Sequence, residues 1–366
     1  MSEYCMVVDL PAHMSLRAIS AKQSHFLAND EITSGQRPVI AMTNCGVSLR
    51  AFFARQSHFL ANDEVAAGQR PALAMRAKQS LHKIKKSGLA TYVKRRISLR
   101  ASKLHREFTS QGRVLPDFLI LGVQKGGTTS LFRYLEGHPN IQTVFKKEIK
   151  FFDCNYPKGL DWYRSHFPYS TEMSDPHAQS GEASPNYIFH PLAPQRVKEI
   201  VPNSKFILLL RDPVTRAYSH YHGNLQRGRE KLTFMEAIEQ EESRLEGEKE
   251  RIIADPDYPM YRFLHFSYLA RGGYIEQLRR WFSFFPRDQI LILRSEDFFE
   301  KPRSIFKQVL RFLDLPEWEP RDFPVYNNGR YGKMDPGISK SLRAYFQPYN
   351  DELYEFIGRD FSWENS

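Results

Sequence analysis

One short segment, residues 117–135, constrains the fold more than any other part of this 366-residue chain. It begins with a continuous apolar run at 117–123 (DFLILGV), which is typical of a buried parallel strand. A glycine-containing loop at 124–129 (QKGGTT) follows, and a helical pattern comes next. Glycines let a backbone turn tightly around a ligand, and a helix start adds free N–H groups and a positive dipole end. The segment therefore predicts a strand–loop–helix unit that binds a phosphate-sized anion.

The loop offers one cation, three hydroxyls and two glycines as candidate ligands: Lys125, Gly126, Gly127, Thr128, Thr129 and Ser130. Nucleotide triphosphatases instead place the lysine after the last glycine, in the order G-x-x-x-x-G-K-[ST]. No predicted strand ends in an acidic residue that could bind Mg²⁺. The sequence also lacks the G-x-G-x-x-G motif of dinucleotide-binding sites. A P-loop kinase-like phosphotransferase remains an alternative, because it would share the sheet and the loop.

Further apolar runs and helical patterns follow this segment, as far as residue 313. Strands are predicted at 205–210 (KFILLL) and 289–293 (QILIL), and helices at 214–225, 233–250, 273–285 and 303–313. Strands that alternate with helices indicate a parallel sheet covered on both faces. The predicted fold class is α/β: a P-loop-like three-layer domain with a mainly parallel central sheet, preceded by a poorly ordered N-terminal extension.

Two motifs resemble those of the sulfotransferases that use 3′-phosphoadenosine 5′-phosphosulfate (PAPS). Residues 123–131 (VQKGGTTSL) are similar to the loop that binds the 5′-phosphosulfate in that family. Arg211 at a predicted strand end, with Ser219 eight residues later, resembles the family's 3′-phosphate site; an arginine offers a planar fork to a phosphate. The resemblance implies PAPS as the sulfuryl donor, PAP as the product, and donor binding by the loop, Arg211 and Ser219. Because this donor needs no Mg²⁺ bridge, we predict no metal.

A third segment, 147–153 (KEIKFFD), is similar to the catalytic segment of the heparan sulfate N- and 3-O-sulfotransferases and their bacterial relatives. There a glutamate acts as general base, and the matching residue is Glu148. Residues 329–331 resemble the loop that closes over the nucleotide, which adds Gly329 and Arg330 to the donor site. The resemblance implies in-line sulfuryl transfer to a hydroxyl or amine of a carbohydrate or glycolipid-like acceptor, with Lys125 stabilising the leaving phosphate.

The surroundings of Glu148 can be predicted in two ways. We expect burial beside Phe151 and Phe152, because a low-dielectric environment raises the proton affinity of a carboxylate that acts as a base. The alternative is a surface ion pair with Lys146 or Lys150. Whether Lys150 or the nearby Asp153 takes part in catalysis stays open at this point.

The net charge of +10 is concentrated in one segment. Residues 76–113 hold twelve Lys and Arg and one acid, whereas 1–75 sum to zero and 114–366 to −1. We therefore predict no nucleic-acid binding by the domain. The basic segment is either a solvated helix that leads into the domain or a weak contact with an anionic membrane. A non-catalytic protein that binds anions or membrane surfaces is the remaining alternative function.

Residues 15–42 and 48–75 form a direct repeat in which 20 of 28 aligned positions are identical. We predict a duplicated low-order extension at 1–75, a basic linker or helix at 76–113 and a sulfotransferase domain at 114–366. Three distant cysteines exclude a disulfide scaffold. Because no run of about 18 apolar residues and no signal-peptide pattern is found, the prediction is a cytoplasmic location, and the oligomeric state stays open.

Overall fold

A five-stranded sheet lies at the centre of the domain, which a computed structural model describes over residues 102–365 except 104, 328 and 330. All its strand pairs are parallel, and their order across the sheet is β2-β3-β1-β4-β5. The strands are β1 (Phe118–Gly122), β2 (Ile141–Gln142), β3 (Gln179–Ala183), β4 (Lys205–Leu210) and β5 (Ile290–Arg294). The predicted extension at 1–75, its repeat and most of the basic segment lie outside the described residues.

The apolar runs of β1 and β4 cause their burial on both faces. Every residue of β1 is buried, and its side chains alternate between two hydrophobic clusters. Leu119 and Leu121 face one cluster, and Phe118 and Ile120 face the other. The predicted strands at 117–123, 205–210 and 289–293 are therefore confirmed to within a residue or two at each end. Strands β2 and β3 were not predicted, because they are short or polar and carry no apolar run.

Helices cover both faces of the sheet and confirm the predicted fold class. Those described are α1 (Thr128–Glu136), α2 (Gly159–Arg164), α3 (Ala193–Ile200), α4 (Pro213–Leu225), α5 (Phe234–Glu239), α6 (Glu241–Leu245), α7 (Glu248–Ala254), α8 (Tyr261–His265), α9 (Tyr274–Phe282), α10 (Ser295–Glu300), α11 (Pro302–Phe312) and α12 (Pro336–Ile357). A π-helical turn spans Phe151–Asn155. Within these ranges, no helix combines the length and the apolarity that crossing a bilayer requires.

The predicted single helix at 233–250 is wrong, since three short helices occupy it. Gly247 has a φ of 68° and separates α6 from α7. Glu241 and Glu248 are buried at the first positions of those two helices. The carboxylate of Glu241 accepts hydrogen bonds from three backbone N–H groups at residues 268–270. The high charge of this segment therefore reflects buried polar anchors as well as a solvated face.

Residues 105–113, the end of the predicted basic linker, pack against the domain. The Arg106 guanidinium donates hydrogen bonds to the carbonyls of Ser165 (2.7 Å) and Phe167 (3.0 Å). The buried Arg113 donates to the Phe167 carbonyl at 2.8 Å, and its guanidinium lies 3.7 Å from the centroid of the Tyr169 ring. These two arginines serve as structural anchors.

Candidate active site

The loop between β1 and α1 turns closely enough to require its glycines. Gly127 has a φ of 100°, and a Cβ atom there would lie 2.8 Å from the Phe299 ring. A Cβ atom on Gly126 would lie 2.5 Å from the Leu209 carbonyl oxygen. Helix α1 then begins without a side-chain cap, which leaves its first backbone N–H groups available to an anion. The loop thus has the form of an anion cradle.

The structure joins the two predicted donor motifs directly. The Arg211 guanidinium donates a hydrogen bond to the Lys125 carbonyl at 3.0 Å, although 86 residues separate the two. The same side chain donates to the Thr215 hydroxyl at 3.2 Å. Ser219 lies two turns into α4 and is 7% exposed. Because β1 and β4 are parallel neighbours, their carboxyl ends bring the loop and Arg211 to the same edge of the sheet.

The Lys125 ammonium lies in a crowded, positively charged place beside α4. A Cβ atom on Gly223 would lie only 2.8 Å from Lys125 Nζ, so this helix position has room for the ammonium because it has no side chain. Burial, and then the nearby Arg227, Arg211 and Arg216, lower the pKa of Lys125. This concentration of positive charge favours binding of a polyanion.

Lys147 connects Glu148 to the phosphate loop. The Lys147 ammonium donates a hydrogen bond to the Thr129 hydroxyl at 2.6 Å and another to Glu148 Oε1 at 3.3 Å. Burial lowers the pKa of Lys147. Its position next to Glu148 was the signal available in the sequence, but sequence reasoning did not select Lys147 as a site residue.

The expected burial of Glu148 beside Phe151 and Phe152 is wrong. Its side chain is 38% exposed, and it pairs with Lys147 and, at 3.8 Å, with Lys150. Glu148 and Lys150 both have left-handed backbone conformations, with φ of 56° and 55°. The intervening Ile149 is buried instead, and the two charged residues beside it are left at the surface.

Asp153, the last residue of the 147–153 segment, is buried inside the protein. It is 1% exposed, and burial raises its pKa. Its Oδ1 atom accepts a hydrogen bond from the Cys154 N–H at 2.5 Å. The carboxyl group therefore contributes to the π-helical turn.

The segment that follows α11 crosses the phosphate loop. The Tyr326 N–H donates a hydrogen bond to the Ser130 hydroxyl at 3.1 Å, and the Asn327 amide donates to the Thr129 hydroxyl at 3.3 Å. These contacts bring the predicted closing loop to the first turn of α1.

The predicted closing loop itself, 329–331, is described in part. Gly329 is exposed, and Arg330 lies outside the described residues. The Tyr331 ring stacks on the imidazole of His222 on α4, with a centroid distance of 4.5 Å and an interplanar angle of 1°. Stacking fixes this end of the loop over α4, the helix that carries Ser219. Over the described part of the chain, no group of three or more His, Cys, Asp and Glu residues could hold a metal ion.

The arrangement from β1 through the segment after α11 matches a known domain. Residues 115–323 match the sulfotransferase domain model. The chain belongs to the sulfotransferase family. This sulfotransferase is therefore an enzyme that transfers sulfuryl groups, and the resemblance inferred from its motifs is confirmed.

Relatives of this sulfotransferase cover the same part of the chain. The membrane-associated sulfotransferase kil1 of Dictyostelium discoideum is 31% identical over 69% of this chain and 67% of its own length. The heparan sulfate glucosamine 3-O-sulfotransferase 5 of Mus musculus is 29% identical over 68% of this chain and 74% of its own. A crystal structure of a sulfotransferase from Alicyclobacillus acidocaldarius has a TM-score of 0.55 and 30% identity, over 69% of this chain and 99% of that chain.

The predicted cytoplasmic location of this sulfotransferase is wrong. The prediction was based on the lack of a run of about 18 apolar residues. Such a run identifies only helices that cross a bilayer. The relative from Dictyostelium discoideum is membrane-associated by name, although no spanning helix occurs within the described residues of this chain.

Proposed function

We propose that this sulfotransferase transfers the sulfuryl group of PAPS to a hydroxyl or amine of a carbohydrate-like acceptor by in-line displacement. The observation that carries the proposal is the 3.0 Å hydrogen bond from Arg211 to the Lys125 carbonyl. It brings a guanidinium fork, a group that binds phosphate, to the same edge of the sheet as the glycine cradle. The name of the mouse relative, a heparan sulfate glucosamine 3-O-sulfotransferase, supports a carbohydrate acceptor.

The residues at this edge of the sheet fit such a donor. A Cβ atom at Gly126 or Gly127 would meet protein atoms at 2.5–2.8 Å, so the glycines allow the tight turn that leads into the uncapped N–H groups of α1. PAPS supplies a sulfuryl group that is activated by its bond to a phosphate oxygen. In this proposal the 5′-phosphosulfate binds to Lys125, Gly126, Gly127, Thr128, Thr129 and Ser130. The 3′-phosphate binds to Arg211 and Ser219, and the loop with Gly329 and Arg330 closes over the nucleotide.

Lys125 stabilises the negative charge that develops on the leaving phosphate. Its ammonium lies beside α4 with Arg227, Arg211 and Arg216 nearby, and this positive charge stabilises the negative charge of the leaving group electrostatically. Repulsion among these cations is relieved when an anion binds, which favours the charged form of Lys125 in the complex. Lys125 therefore contributes both to donor binding and to the transfer step.

Glu148 takes the proton from the acceptor as the new oxygen–sulfur or nitrogen–sulfur bond forms. Its carboxylate is partly exposed and can reach a bound acceptor. Lys147 holds it next to Thr129 of the phosphate loop, and Lys150 lies on its other side. General-base catalysis of this kind contributes about 10²- to 10⁴-fold to a rate.

Two measurements test the proposed function. Calorimetry with PAP and with ATP separates a sulfotransferase site from a kinase-like site, and tighter binding of ATP would overturn the proposal. Transfer from labelled PAPS to a panel of heparan-type oligosaccharides and glycolipids identifies the acceptor class.

Glu148→Gln tests the role of the base. We expect turnover to fall roughly 10²- to 10⁴-fold while the affinity for PAP changes less than about twofold. Glu276→Gln, at an exposed position on α9, is the matched control and should have wild-type turnover. Full activity of Glu148→Gln would remove this residue from the mechanism.

A further inference from the structure

The carboxylate of Glu182, near the end of β3, is fully buried beside the segment that carries Glu148. Glu182 accepts hydrogen bonds from three hydroxyl groups, each at 2.8 Å. Tyr163 and Tyr187 donate to its Oε1 atom, and Ser184 donates to its Oε2 atom. All four residues have no exposed surface. A buried carboxylate is costly unless it is hydrogen-bonded, and these three hydroxyls satisfy it.

Two of the three hydroxyls have a second partner in the catalytic segment. The Tyr187 hydroxyl oxygen accepts a hydrogen bond from the Phe151 N–H at 2.8 Å. The Ser184 hydroxyl oxygen accepts one from the Lys150 N–H at 3.0 Å. A hydroxyl that donates its proton to a carboxylate presents its lone pairs to other donors. Glu182 therefore orients both hydroxyls so that they accept from the backbone of residues 150 and 151.

This segment needs such support because of its backbone conformation. Glu148 and Lys150 both have φ values near 55°, and such left-handed conformations are sparsely populated for residues other than glycine. They persist only where surrounding contacts specify them. Glu182 pairs with Leu119 of β1 across the parallel sheet, which places its backbone, and three hydroxyl groups hold its buried carboxylate. The hydroxyls transmit that position from the sheet to the segment.

We propose that Glu182 is a positioning residue for sulfuryl transfer. Its carboxylate orients the hydroxyls of Ser184 and Tyr187, and these hold residues 150 and 151 so that Glu148 stays beside the phosphate loop. The inference rests on the proposed role of Glu148 as general base. Glu182 itself is buried and does not touch a substrate.

The chain offers a matched pair of variants for the test. Tyr187→Phe and Tyr163→Phe each delete one buried hydroxyl that donates to Glu182 Oε1 and leave the ring in place. Only the Tyr187 hydroxyl also accepts a backbone hydrogen bond from the catalytic segment. We expect Tyr187→Phe to lower kcat roughly 10- to 100-fold with PAP affinity changed less than about twofold. Tyr163→Phe should retain kcat to within about threefold. Equal loss of kcat in both variants, or loss in neither, would overturn the proposal.

Two further variants test the other half of the network. Ser184→Ala removes the acceptor for the Lys150 N–H, and we expect the same selective loss of kcat. Glu182→Gln replaces one acceptor oxygen with an amide NH₂ donor, and kcat should fall as it does in Ser184→Ala. Unchanged turnover in folded samples of both variants would contradict the proposed role of Glu182.

Amide hydrogen exchange gives a readout that does not depend on activity. Exchange at residues 150 and 151 should be faster in Ser184→Ala and Tyr187→Phe than in the wild type, and unchanged in Tyr163→Phe. If the wild-type chain transfers no sulfuryl group, the proposed function fails, and the exchange pattern still decides whether the hydroxyls hold this segment. If the wild type is active and Tyr187→Phe matches Tyr163→Phe in kcat and exchange, only the role of Glu182 fails.

Discussion

At the scale of single residues, the site depends on where two ammonium groups are held. Lys125 lies against a glycine of α4, and Lys147 bridges Thr129 and Glu148. Burial lowers the pKa of both lysines. Each ammonium thus depends on its immediate neighbours both for its position and for its protonation.

Gly223→Ala is expected to impair function without harming the fold. The added methyl carbon would lie 2.8 Å from Lys125 Nζ and 3.2 Å from the Arg227 guanidinium, which are the mobile ends of long side chains. The fold should be as stable as the wild type or more so, because alanine favours a helix by about 1 kcal/mol over glycine. The displaced ammonium should weaken PAP binding and lower kcat/KM by roughly tenfold or more.

Calorimetry with PAP and a thermal unfolding curve check this expectation. Gly273→Ala is the control, because its added carbon would meet only ordinary contacts at 3.7 Å or more. A Gly223→Ala enzyme that binds PAP as the wild type does would show that Lys125 tolerates a different position.

The sequence allowed the residues of the glycine loop to be placed together more readily than the residues that contact them. Lys125 and its neighbours are contiguous in a loop between two regular elements, so their proximity follows from local structure. Lys147 and Glu182 act through contacts with residues that are distant or buried, such as Thr129 and Tyr163. No periodicity or spacing reveals such contacts before the chain is folded.

At the scale of elements, buried acidic groups hold the short helices together. The Glu241 carboxylate at the start of α6 accepts N–H groups of Tyr268, Leu269 and Ala270 at 2.7–2.8 Å. It thereby ties α6 to the turn that precedes α9. Burial raises the pKa of Glu241 to about 7.

This pKa predicts how stability changes with pH. Between about pH 4.5 and 7 the folded chain retains the proton of Glu241 and the unfolded chain releases it, so the free energy of unfolding falls as pH rises. Glu241→Gln removes this titration. Relative to the wild type, the variant should gain on the order of 3 kcal/mol between pH 4.5 and 8.

Urea unfolding of wild type and variant at several pH values measures the difference. Glu242→Gln, at an exposed position of the same helix, is the matched control. A constant offset for Glu241→Gln would contradict the raised pKa of this carboxyl group.

Prediction of elements succeeded where apolar runs were continuous. Residues 205–210 form β4 with the bounds expected from KFILLL. It failed for β3 (Gln179–Ala183), whose polar residues are buried because of their hydrogen bonds rather than their hydrophobicity. Burial of this type depends on partners from other elements.

At the scale of the whole molecule, the described part of the basic segment belongs structurally to the domain. Arg106 and Arg113 hold residues 105–113 against the carbonyls of Ser165 and Phe167. Both hydrophobic clusters of the sheet are formed by residues that follow them. The charge boundary at residue 113 therefore does not coincide with the boundary of the packed structure.

Two truncations separate these boundaries. A chain that starts at residue 102 should keep sulfuryl transfer and the stability of the full chain. A chain that starts at residue 114 loses the buried Arg113 with its hydrogen bond and its contact with the Tyr169 ring. Its free energy of unfolding should be lower by about 1–3 kcal/mol.

Thermal and urea unfolding of both truncated chains, with assays using labelled PAPS, measure the outcome. Arg113→Ala in the longer chain should reproduce part of the loss. Equal stability of the two truncations would show that Arg106 and Arg113 contribute nothing measurable.

The strand order has a consequence for how this enzyme can diversify. β1 lies between β3 and β4, so the connections that follow β1 and β3 run toward opposite flanks of the sheet. In open α/β sheets, ligands generally bind in a crevice at such a switch point, at the carboxyl ends of the strands. Glu148 belongs to the β2–β3 connection on one flank, and Arg211 with Ser219 follows β4 on the other. Changes in length and sequence on the first flank can thus alter what enters the crevice while the second flank is preserved. Under the proposed function, exchange of the 143–178 connection, which carries Glu148, between homologues should change the acceptor and leave the donor site in place.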